Sequence, residues 1–143
     1  MLARPLLSGC LMHIDHIAIV VKDLTATLQL YTGTLGFTQV YRETLEDQGV
    51  EAVGLIAGDS VIELLLPLDE HSAIAKYRGS AASKLHHTAY RVADIEAELA
   101  RLKAAGVRLI DEVPRRGAHG NRIAFLHPSS TGGVLIELCQ PPA

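Results

Sequence analysis

The chain has 143 residues, the length of one ordinary domain, and is 48% hydrophobic, which is enough apolar material for a core. A formal charge of −3 leaves no electrostatic footprint for nucleic acid or an anionic membrane. No apolar run reaches the roughly 18 residues of a spanning helix, and two cysteines, Cys10 and Cys139, are too few for a disulfide framework and suit a reducing compartment, the cytoplasm.

Residues 1–12 contain Leu7-Ser8-Gly9-Cys10, which looks like a lipoprotein cleavage box. Arg4-Pro5 interrupts the apolar stretch such a box requires, so 1–12 read as a disordered leader, with Met12 a second candidate start. A strand follows, in which alternation places Ile14, His16, Ala18 and Val20 on one face and Ile17, Ile19 and Val21 on the other. Asp23 is placed to cap a helix whose apolar positions are Leu24, Leu28, Tyr31 and Leu35, and Gly36 stands at its C-cap. Strands are expected at 38–42, 52–56 and 61–66, with a turn at Asp59. Residues 68–84 read as a linker with a short helix near 73–77.

The pattern then starts again. His16 and His87 are each followed by a strand-like stretch and, seven residues on, by Asp23 or Asp94. Asp94 precedes a helix marked by Ile95, Leu99 and Leu102, and Gly106 ends it. Strands are expected at 108–110, 121–126 and 133–139, with a turn over 129–133. A single βαβββ unit cannot bury both faces of its sheet. Two copies, 13–67 and 85–140, can pair side by side and curl into an incomplete barrel, helices outside and a cleft inside. The expected fold is α+β, one domain spanning 13–140.

Functional side chains belong on the cleft face. Ile17, Ile19 and Val21 suit packing beneath the helix, so His16 faces the cleft, and the repeat places His87 there too. His86 is expected to face the other way, at the position that matches Asp15. The last strand of each half, VIELLL and VLIELC, sets one carboxylate, Glu63 or Glu137, in an apolar run. Burial of an unpaired carboxylate is costly, so each should have a partner or a raised pKa. Glu63 lies 47 residues after His16 and Glu137 lies 50 after His87. Alone, such a His is ordinarily a polar strand residue and such a Glu an edge residue facing solvent; four at matched repeat positions form a set. Two imidazoles and two carboxylates suit a borderline divalent ion with open positions, and the absence of thiolate argues against structural zinc. His13 and His71 read as surface residues. His119, in a glycine-rich loop, is a candidate to touch substrate, and His127 supports a turn before Pro128.

Asp15-His16-Ile17, Ile62-Glu63-Leu64 and Leu85-His86-His87 resemble the vicinal-oxygen-chelate superfamily. The run HPSSTGGVLIEL from His127 to Leu138 is similar, more narrowly, to the methylmalonyl-CoA epimerase family, where glyoxalase I and the dioxygenases tend to have an Asp-Pro-Asp-Gly-like turn. Gln48-Gly49-Val50, Pro114-Arg115 and Gly117-Ala118-His119-Gly120 add to it, and the resemblance spans 13–140. It implies an acyl-CoA substrate, a homodimer, and one divalent ion per chain held by His16, Glu63, His87 and Glu137. Cobalt or manganese is the first expectation, with nickel, zinc or magnesium as alternatives. One departure stands out: some family members have Gln where this chain has Glu63, together with a Glu that here is replaced by Ala52, while Glu51 should face away. Glu63 and Glu137 are therefore expected to be the two bases that move the C2 proton. Gln48, Lys76, Arg115, Arg116, Gly117, His119, Gly120 and Arg122 are candidates to receive the substrate, the cations for its phosphates and the glycines for close backbone approach; for the cations an ordinary solvated surface is an equal reading. The competing functions are a lactoylglutathione lyase of the glyoxalase I type and a metal-free protein that sequesters a small molecule.

Overall fold

The structure, a computed structural model, describes residues 12–143, so the expected leader, apart from Met12, lies outside the described residues. The first half contains β1 (His13–Val21), α1 (Leu24–Leu28) running into a π turn over Gln29–Thr34, β2 (Thr38–Leu45), β3 (Val50–Ala57) and β4 (Ser60–Pro67). After α2 (Ala73–Arg78), the second half contains β5 (Ser83–Arg91), α3 (Ile95–Ala104), β6 (Arg115–Arg116), β7 (Arg122–Leu126) and β8 (Ile136–Gln140).

The matched helix starts are made by matched caps. Asp23 accepts a hydrogen bond from the Ala26 amide and Asp94 from the Ala97 amide. Gly36 and Gly106, at φ 79° and 87°, follow the two helices in the left-handed conformation that glycine tolerates. The first helix departs from the expected spacing. Its π turn inserts an extra residue, so Leu24, Leu28 and Tyr31 pack beneath the sheet whereas Leu35 swings out to 53% exposure.

All eight strands form one sheet in the order β2-β3-β4-β1-β5-β8-β7-β6. The antiparallel pair β1–β5 lies at its centre, and each of these has its own module's last strand, β4 or β8, as a parallel neighbour. The modules are thus joined first strand to first strand. The expected strand at 108–110 is only a bridge between Leu109 and Leu126. There the Asp111 carboxylate accepts the Phe125 amide hydrogen, taking the place of a strand carbonyl, and the two-residue β6 becomes the edge instead.

Each module buries an aliphatic cluster between sheet and helix: Val21, Leu24, Val53, Leu55 and Leu64 in the first, Val92, Ile95, Leu99, Ala124, Leu126 and Leu138 in the second. A third cluster, Ala18, Leu45, Val50, Ala52, Leu65 and Ala118, lines the concave side. The sheet curls until its two edges touch. The His119 amide donates to Glu43 at 2.7 Å, the Gln48 side chain donates to the Arg116 carbonyl at 3.4 Å, and Arg116 pairs with Glu43 at 3.5 Å. No helix among the described residues is long and apolar enough to cross a membrane.

Candidate metal centre

The register of the central strands assembles the site. Ala18 on β1 lies between Glu63 on β4 and His87 on β5, and Ala89 on β5 lies between His16 on β1 and Glu137 on β8. Two adjacent rows, related by the repeat, thus raise four long polar side chains around two buried alanines. The alanines were legible as His-x-Ala in both copies, since only a small side chain leaves space between such neighbours.

His16, His87, Glu63 and Glu137 are all buried, at 4–5% exposure. His16 Nε2 is 3.3 Å from His87 Nε2, 3.6 Å from a Glu137 oxygen and 3.7 Å from a Glu63 oxygen, and His87 Nε2 is 3.2 Å from the other Glu137 oxygen. Ligands bound to one ion at about 2.1 Å lie about 3.0–3.4 Å from one another. The spacing of these donors therefore suits a divalent ion, and no Lys or Arg forms an ion pair with either glutamate among the described residues. His16, His87 and Glu137 converge most tightly, while Glu63 reaches only His16 and stands at the margin. Burial raises Glu63 above the usual carboxylate range, against the pull of His16 and of a hydrogen bond from Tyr41. Burial alone would depress His16, but the Asp15 hydrogen bond and the charges of Glu63 and Glu137 push it up to about 9.

His86 does not face away as alternation predicts. Its Nδ1 lies 2.7 Å from His87 Nδ1, and Asp15 Oδ2 lies 2.8 Å from His16 Nδ1. The registry of β1 against β5 skips one residue at each of these two places, Asp15 and His86, and a bulge turns consecutive side chains toward the same side. The same interruption takes Ile14 off the His16 face, and it is 60% exposed.

Tyr41 was missed in the sequence. It lies opposite Gly54 in the β2–β3 ladder, and its hydroxyl donates to Glu63 at 2.6 Å. A Cβ on Gly54 would lie 2.1 Å from the Tyr41 ring, so the ring reaches Glu63 only across a glycine. An isolated Gly in an apolar strand was the available signal. His119, at φ 61°, stacks on Tyr41 with ring centroids 5.3 Å apart.

The expected substrate residues divide. Gln48 and Gly117 line a pocket with His16, Glu63, Glu137 and Asn121. Gly120 is exposed beside His119 in the same loop, and Lys76 is exposed on α2. Arg115 is held by Asp111 at 3.2 Å and Arg116 by Glu43. Arg122 precedes the pocket residue Ile123 on β7, so alternation turns it to the helix face, where it pairs with Glu96. His127 accepts the Ser129 amide hydrogen and so supports its turn.

A sequence model of the glyoxalase/bleomycin resistance protein/dioxygenase superfamily matches residues 15–125. The ethylmalonyl-CoA/methylmalonyl-CoA epimerase of Cereibacter sphaeroides is 40% identical over 129 residues, 89% of this chain and 96% of its own. The crystal structure of methylmalonyl-CoA epimerase from Mycobacterium tuberculosis is similar at a TM-score of 0.85 and 40% identity, over 100% of this chain and 94% of that one. A methylmalonyl-CoA epimerase in complex with methylmalonyl-CoA and NH4+ is similar at a TM-score of 0.85 and 40% identity, over 94% of this chain and 97% of that one.

Proposed function

The chain belongs to the glyoxalase/bleomycin resistance protein/dioxygenase superfamily, and on that footing we propose that it interconverts the C2 enantiomers of methylmalonyl-CoA. The observation that carries the reading is the buried constellation itself: two imidazoles whose Nε2 atoms face one another at 3.3 Å, flanked by two carboxylates from equivalent strands. His16, His87 and Glu137 would hold the ion, with Glu63 at its margin, and cobalt or manganese fits this mixed N and O set. When bound, the ion supplies positive charge next to the oxygens on which negative charge develops as C2 loses its proton.

The chain's own groups do the proton work. C2 lies between a thioester and a carboxylate, so its proton is acidic enough for a glutamate whose proton affinity burial has raised. Glu63 and Glu137 rise from β4 and β8 on either side of the imidazole pair. One carboxylate takes the C2 proton and becomes a carboxylic acid; the other, protonated, returns a proton to the opposite face, and Glu137 leaves the ion while it carries a proton. The aliphatic cluster of Leu45, Val50, Ala52 and Leu65 lines the concave side and excludes water there. Gln48, Gly117 and the loop to Gly120 form the rim over which the CoA arm leaves, with Lys76, Arg115 and Arg116 as candidate phosphate partners. A homodimer in the cytoplasm is the assembly and place that the family resemblance supports.

Proton NMR of methylmalonyl-CoA with the metal-loaded protein in D2O tests this directly. The C2 signal should vanish as the enantiomers interconvert, without succinyl-CoA appearing. An intact C2 signal, together with isomerisation of the methylglyoxal–glutathione adduct, would replace this reading with a glyoxalase one.

A further inference from the structure

Ile14 and His16 on β1 stand opposite Tyr90 and Ala89 on β5, which leaves Asp15 as an extra residue. Ala18 and Ile19 stand opposite His87 and Leu85, which leaves His86 as an extra residue on β5. Each bulge therefore falls immediately before the histidine of its own module. One bulge can be attributed to the curvature of the sheet. Two at equivalent positions, each bringing a polar atom to the far ring nitrogen of a buried histidine, share a second consequence. Asp15 Oδ2 and His86 Nδ1 lie at 2.8 and 2.7 Å from the Nδ1 atoms of His16 and His87, and both Nε2 atoms then face inward.

Resting on the metal reading of this site, we propose that the duplicated bulge is a positioning device: Asp15 and His86 accept the Nδ1 hydrogens of His16 and His87 and hold both Nε2 lone pairs toward one point. An unpartnered imidazole divides itself between two tautomers and several ring orientations, and only one combination presents Nε2 to an ion. The two holders are themselves fixed. Arg91 donates from Nε and Nη2 to Asp15 Oδ1 at 3.1 and 3.0 Å, and the His86 ring meets the Tyr77 ring edge-on with centroids 5.4 Å apart. A carboxylate accepts more strongly than a neutral imidazole, so Asp15 is the stronger holder of the two.

Zn2+ titrated calorimetrically into the full chain, with long-range proton–nitrogen spectra of the zinc-loaded protein, tests the proposal without measuring activity. The wild type should show two slowly exchanging Nδ1 protons. Asp15→Ala and His86→Ala should bind Zn2+ about 10–100-fold more weakly, the first with the larger loss, and each should lose protection of its own histidine's proton. Asp15→Asn and His86→Asn keep an acceptor oxygen and should recover most of the affinity. Wild-type affinity and two protected protons in both alanine variants would overturn the proposal, as would asparagine variants no better than the alanine ones. A wild type that binds no Zn2+ would instead remove the metal reading, and with it any ion for the bulges to serve.

Discussion

Glu63 and Glu137 occupy equivalent places in the two modules, yet their surroundings differ. Beside Glu137 on β7 is Phe125, whose ring packs edge-on against His87 with centroids 5.2 Å apart. Beside Glu63 on β3 is Gly54, and through the gap it leaves Tyr41 reaches in from β2 and binds one carboxylate oxygen. Glu137 consequently directs both oxygens at the imidazoles, whereas Glu63 has one oxygen tied to a hydroxyl and the other 3.7 Å from His16. Duplication supplied a symmetric scaffold, and a glycine beside one glutamate where the other half has a phenylalanine made the halves unequal. In the proposed reaction Glu137 is the more ligand-like carboxylate and Glu63 the more base-like one.

The largest effect should come from removing an imidazole. His87→Ala should lower affinity for Co2+ by more than about 100-fold, beyond the range for an outer partner, and abolish epimerisation. If His86→Ala lost the ion more completely than His87→Ala, the roles of the two neighbours would be exchanged. Chelation of the wild type should abolish activity, and cobalt or manganese should restore it.

Glu63→Gln comes next and strikes at the asymmetry. The amide oxygen can still reach the ion but cannot accept a proton, so the variant should keep its metal and lose about 10²–10⁴-fold in epimerisation rate. One enantiomer should still exchange its C2 proton with D2O without inverting. Glu137→Gln should favour the other enantiomer and, unlike Glu63→Gln, should also weaken the metal. Near wild-type epimerisation by metal-loaded Glu63→Gln would end the two-glutamate mechanism. Gly54→Ala should act more mildly, through the Tyr41 ring that its Cβ must displace, at a cost of about 1–3 kcal/mol in stability read from thermal unfolding.

The features legible in the sequence were those carried by repetition and period. The His and Asp spacing, the two caps, the outer faces of the strands and the matched glutamates needed only alternation and the repeat. The features that were not legible depend on residues that break a period. The bulges at Asp15 and His86 displaced Ile14 and His86 from their expected faces, and no local composition announces them. The π turn released Leu35 in the same way. Tyr41 was hidden because its partner Glu63 lies two strands away, a contact that only the β2–β3–β4 registry creates.

Tyr41→Phe should have the smallest effect and resolves what the hydroxyl does. The ring remains over Gly54, so packing is kept and only the hydrogen bond to Glu63 is lost. An unsatisfied buried carboxylate oxygen destabilises by about 1–3 kcal/mol, which thermal unfolding would register. The hydrogen bond favours the ionised carboxylate, so its loss raises Glu63 further above the usual carboxylate range. A base must be ionised to accept a proton. The acid limb of the kcat/KM profile should therefore move to higher pH in Tyr41→Phe, with activity regained as pH rises and the plateau close to wild type. Among the described residues no hydroxyl donates to Glu137, so the limb should move for proton exchange from one enantiomer and stay in place for the other. Equal movement for both enantiomers would mean that Tyr41 serves the site as a whole, and that the two glutamates are not distinguished by the strand beside them.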